Sequence, residues 1–135
     1  MSIVLAIGAA TLAWFFAAAI LFFNPVVDKV YRTEEDHPAV KNLPQVPSTI
    51  AKIILAVLAQ CILWAGVYVG WQAGIPDDPL MRGLGFSAVI VLVKVVPRDI
   101  DRVLLTTYPP KRLTIEFVIG VLLSAAVGFP FAYLL

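Results

Sequence analysis

LMRGLGFSAVIVLVKVVPRDIDRVLLTT, residues 80–107, decides how this chain is read. Its first two-thirds are nearly all apolar. Its second half intersperses Lys94, Arg98 and Arg102 with Asp99 and Asp101. A spanning helix needs about 20 mostly apolar residues to cross a hydrocarbon core about 30 Å thick. Leu80 to Pro97 just meets that length and places Arg82 and Lys94 towards its ends. Counted as a span, it becomes one of four.

The other three are plainer. Ile3 to Phe23 carries no charge. Ile50 to Gly74 has only Lys52, near its start, and Leu113 to Leu135 has only Glu116, in its predicted first turn. The first run lacks a basic leader and exceeds the apolar core of a signal peptide, about 7–15 residues, so it reads as a span. The whole chain has the same bias. Of 135 residues, 61% are apolar and 14% charged, against about 45–50% and about 25% in soluble domains. Ten Lys and Arg face nine Asp and Glu, which leaves no basic footprint for nucleic acid.

Basic loop residues set orientation. Lys29, Arg32, Lys41, Lys52, Lys94, Arg98, Arg102, Lys111 and Arg112 fall on one side of a four-span chain, and only Arg82 falls on the other. The expectation is an all-α, integral membrane four-helix bundle of one domain in the plasma (inner) membrane. Spans lie at about 3–23, 50–74, 80–97 and 113–135. Loops 24–49 and 98–112 are cytoplasmic, and both termini are non-cytoplasmic.

Local signals mark the ends. Asn24-Pro25 closes the first helix, and Ser48 is placed to cap the second. Asp78 with Pro79 opens the third. Thr33 reads as the cap of a short helical turn, and Tyr108-Pro109-Pro110 reads as extended.

Helices in lipid associate through small residues. Gly66 and Gly70 form a GxxxG step in the second span. Gly120, Ser124 and Gly128 form a stripe in the fourth, and Ala9, Ala13 and Ala17 one in the first. Packing within one bundle is the plainer role, and packing between protomers the other.

Two clusters stand out as candidate sites. Gln60, Trp64, Tyr68 and Gln72 share one helix face, either lining a cavity or serving as interhelical polar glue and interfacial aromatics. Lys94, Arg98, Arg102 and Glu116 form either an anion or headgroup site or a satisfied ion-pair network. For the third span, length favours an end near Arg98, with Lys94 snorkelling to the headgroups and residues 98–107 lying along the interface. In the alternative, the helix runs on past Pro97 and buries a stripe of Lys94, Arg98 and Asp101 or Arg102. Such charges are expensive in a bilayer and imply function. His37 beside Glu34, Glu35 and Asp36 lacks the ligand spacing of a zinc site. Cys61 sits mid-span as an inert thiol. No catalytic, metal or cofactor site is expected.

Asn24-Pro25-Val26-Val27-Asp28-Lys29-Val30-Tyr31 and Pro110-Lys111-Arg112-Leu113-Thr114-Ile115-Glu116, running into Gly120, resemble segments of a family of short prokaryotic four-span membrane proteins, a domain of unknown function. The departures are Phe22-Phe23 in place of an aromatic Trp-Tyr pair and the lack of an aromatic at Val118–Gly120. The resemblance implies a four-span topology and brings no activity. The four-span eicosanoid and glutathione enzymes share the length, but only Asn42 and a neighbouring base match their glutathione signature.

The sequence therefore points to a non-enzymatic structural role, as a homo-oligomer or as an accessory subunit of a larger membrane complex. One alternative is a small dimeric carrier or channel built on Lys94, Arg98 and Glu116. A second is a lipid- or quinone-binding enzyme using Gln60, Trp64 and Tyr68.

Overall fold

A computed structural model describes residues 2–34, 36–38, 40, 46–71 and 77–135. The described residues are helical or irregular, with no strand among them. The helices are α1 (Ile3–Phe22), α2 (Pro25–Thr33), α3 (Pro47–Trp71), α4 (Pro79–Ile90), α5 (Val96–Leu105) and α6 (Pro110–Leu134). A π-helical turn, Val91–Val95, joins α4 to α5 without a break, so the third span runs from Pro79 to Leu105. Among the described residues, that span, α1, α3 and α6 are the four helices long and apolar enough to cross a membrane. The chain is a small multi-pass membrane protein.

The caps explain several boundaries. Ser2 accepts from Val4 N and starts α1. Asn24 does more than close α1: its side chain accepts from Val26 N at 2.9 Å and, with Pro25 in the first turn, opens α2. Thr33 therefore ends a helix instead of starting one. Pro47 begins α3 one residue before the expected cap, Ser48. Asp78 caps α4 as expected, accepting from Leu80 N at 3.2 Å. Pro109 is extended, and Pro110 is already in the first turn of α6, three residues earlier than Leu113. Gln72 and the rest of 72–76 lie outside the described residues.

The third span departs most from expectation. It does not stop at Pro97. Proline has no amide hydrogen, so the carbonyl of Val93 loses its ordinary helical partner. The chain widens by one residue ahead of it, and Val96 N–H donates to Val91 O. The helix then continues to Leu105.

The spans form a ring in the order α3, α1, α6, third span. The most extensive packing is α6 against α4 and against α1, and α3 rests on α1. Small residues make the α4–α6 contact close. A Cβ on Gly128 would lie 2.4 Å from Ser87 Oγ, and one on Gly83 would lie 2.5 Å from the Phe129 ring. A Cβ on Gly120 would lie 3.0 Å from Val95. Gly120, Ser124 and Gly128 are buried, as intra-bundle packing requires. Gly66 and Gly70 are not part of it: both are exposed, and a Cβ there would meet none of the described residues within 4 Å. In α1 the buried positions are Ala6, Ala10 and Ala18, one residue out of register with Ala9, Ala13 and Ala17. Trp14, partly buried between Ala10 and Ala18, packs on both apolar clusters. Exposed Phe16, Leu63, Leu92 and Leu104 present hydrocarbon to lipid.

Candidate functional site

Two layers divide the interior. The layer nearer the loop between α3 and α4 is aromatic. Phe86 is fully buried, with its ring 5.0 Å from Tyr68, 5.8 Å from Trp71, 6.1 Å from Phe131 and 6.2 Å from Trp64. Edge-on and offset rings of this kind fill space tightly. The opposite layer holds a cleft of about 250 Å³ lined by all four spans.

The cleft unites two sets of residues that the sequence left apart. Gln60 and Trp64 of α3 line it, and so do Lys94, Arg98, Arg102 and Glu116. Tyr68 does not. It lies wholly within the aromatic layer, and its buried hydroxyl has no hydrogen-bond partner among the described residues. Trp14, Phe22, Val57 and Leu123 supply apolar wall.

Lys94 does not snorkel. Its ammonium donates to Gln60 Oε1, and Gln60 is the fourteenth of the 25 residues of α3. A charge therefore sits near the middle of a span, facing inward. Arg98 and Arg102 follow at one-turn intervals on the same face, whereas Asp101 is exposed. This is the stripe that the continuous-helix alternative implied.

The cations differ in their partners. Arg98 Nε donates to Asp99 Oδ1 at 2.8 Å, and Arg98 Nη2 reaches the Glu116 carbonyl at 3.4 Å. Arg102 donates to Glu116 Oε2. Arg112 approaches Glu116 Oε1 at 3.6 Å and stacks over the Tyr31 ring at 3.8 Å. Lys94 has only the amide: among the described residues, no carboxylate pairs with it. Among the described residues, Lys94, Arg98, Arg102 and Arg112 have only Asp99 and Glu116 as paired acids, so the cluster is positive.

Glu116 is the hub of the end of the cleft nearer α2 and α5. Besides the arginines, it accepts from Tyr31 Oη at 2.7 Å and from Tyr108 Oη. It sits seven residues into α6, beyond the turn where a helix N-terminus acts. Donors from α2, α5 and the loop before α6 stabilise it instead. Burial raises the phenol pKa of both Tyr31 and Tyr108, and the hydrogen bond to Glu116 raises it further. Both phenols therefore stay protonated as donors. Sequence reasoning found Glu116 but missed Tyr31 and Tyr108. Neither has a helical-register relation to it; the fold alone brings them there.

No protein-family model matches the chain, and neither does any curated protein or solved structure.

Proposed function

We propose that this protein binds an anion in the cleft and acts as a small carrier in the plasma (inner) membrane. The supporting observation is Lys94, a mid-span cation bonded to an amide and paired with no carboxylate among the described residues. An ionisable side chain inside a bilayer costs several kcal/mol and by default marks a functional site. An anion beside Lys94 offsets that cost. Apolar walls keep the local dielectric low and strengthen the attraction. The basic loops support an orientation with the Glu116 end of the cleft towards the cytoplasm.

The test uses the protein in phosphatidylcholine nanodiscs, with Trp14 and Trp64 as reporters in the cleft wall. Titration with inorganic phosphate, and separately with octanoate, should give a saturable fluorescence change. Lys94→Gln should weaken binding roughly tenfold or more, the scale for losing one member of a desolvated charge pair. No saturable response to either anion overturns the reading.

A second reading is structural: self-association, or docking as an accessory subunit. Gly66 and Gly70 support it, because their stripe faces outward and leaves α3 free to approach another helix closely. Gly66→Leu with Gly70→Leu should abolish a cross-linked dimer in mild detergent and leave helicity unchanged. A wild-type protein that cross-links only as a monomer defeats it.

A further inference from the structure

The ring of four spans is closed at three of its four seams. The α3–α1, α1–α6 and α6–α4 pairs pack backbone against backbone, whereas α3 and the third span do not. Between those two, the aromatic layer bridges one half through Phe86 with Trp64, Tyr68 and Trp71. The other half is crossed by the Lys94–Gln60 hydrogen bond. The cleft lies behind this loosely closed half. Its inner end is cationic, and its walls include Trp14, Phe22 and Trp64.

Resting on the anion-binding reading above, we infer that the ligand is the oxyanion headgroup of a membrane amphiphile, phosphate or carboxylate, entering sideways between α3 and the third span. The volume supports this class. About 250 Å³ is less than the roughly 300–1,000 Å³ of sites that enclose a whole drug-sized molecule. It holds a headgroup and the start of a chain, and the rest of the chain remains in the seam against lipid. The walls fit the same division: a small hydrated anion has no use for three aromatic side chains, whereas a chain does. The headgroup takes Lys94 as its counter-charge, with Arg98 beside it. Glu116 keeps Arg102 and Arg112 occupied, so the anion settles at the inner end of the cleft and not at its mouth.

A soluble anion offers the same charge, so the experiment separates the two sources. The wild-type protein is placed in phosphatidylcholine nanodiscs containing a low fraction of brominated phosphatidylglycerol, and tryptophan quenching is compared with equal brominated phosphatidylcholine. Inorganic phosphate is titrated in parallel. The expected result is saturable quenching by the anionic lipid, several-fold above the zwitterionic one, displaced by oleate at micromolar levels. Lys94→Gln should return it to the zwitterionic level, and Lys94→Arg should retain it. If Lys94→Gln does not fold, oleate displacement from the wild-type protein decides. A saturable phosphate response with equal quenching by both lipids overturns the amphiphile and leaves the anion site. No response to any anion overturns both.

Discussion

Glu116→Gln should destabilise the protein by about 3 kcal/mol, the lower end of the cost of breaking a buried ion pair. One carboxylate holds Arg102, Arg112, Tyr31 and Tyr108, contributed by α5, the start of α6, α2 and the loop between α5 and α6. The amide keeps one acceptor but turns a donor towards an arginine. Two guanidinium groups are then left half-buried without a counter-charge. Arg102 keeps about a third of its side chain exposed, which limits the penalty. Denaturant midpoints in detergent give the measurement. Adding Arg102→Met to Glu116→Gln should recover part of the loss, because removing both partners leaves fewer orphaned groups. An unchanged midpoint in Glu116→Gln would show that the hub holds nothing together.

Alkali should reach the same network. The fold holds Tyr108 in its neutral form, so its folded pKa lies above the unfolded one. The associated stability is complete below the usual phenol value of about 10 and falls as pH rises through the folded value. Tyr31 adds in the same direction. Tyr108→Phe should flatten that alkaline fall.

Phe86→Ala should produce the second large effect, at the other end of the interior. Phe86 is fully buried and touches Trp64, Tyr68, Trp71 and Phe131. A soluble core would lose about 3–5 kcal/mol on such a truncation. Lipid is as apolar as the core, so most of the transfer contribution is absent and the lost packing remains, about 2 kcal/mol. The functional consequence is larger than the energetic one. Phe86 packs between α3 and the third span against Trp64, which lines the cleft, so removing its ring should open a path to the cleft from that side. Cys61 is buried and lines the cleft. A membrane-impermeant maleimide added from the side of the α3–α4 loop should label Cys61 many times faster in Phe86→Ala than in wild type. Equal rates would mean that the aromatic layer is not the seal.

Much of this architecture was legible in the chain. Apolar length alone located all four spans, because backbone groups in lipid must be satisfied within a helix. Asp78-Pro79 placed the start of α4 correctly. The departures share one cause: tertiary contacts decide where local rules do not reach. Length arithmetic ended the third span near Arg98, but polar groups from α3 and α6 receive its charges, so the helix continues. GxxxG spacing was read equally in α3 and α6, yet only the α6 stripe meets a partner helix within the bundle. Gln60 and Trp64 were grouped with Tyr68 by helical register. Phe86 and Phe131, remote in sequence, draw Tyr68 into another layer. The union of the Gln60 face with the Lys94 stripe lay beyond any single-helix pattern, since it depends on which faces of two spans look at each other.

The π turn at Val91–Val95 also acts as a phase shifter. Ahead of it, the buried face of the third span runs through Gly83, Ser87 and Ile90; after it, through Val95 and Asp99. A regular helix continued from Ile90 would bring position 94 to that face, four residues on. The lysine would then point at Gly120, where there is no room for it. One surplus residue rotates Val95 into the tight contact with α6 and swings Lys94 aside to meet Gln60. A single irregular turn thus lets one helix be a close-packed wall on its first half and a charged lining on its second.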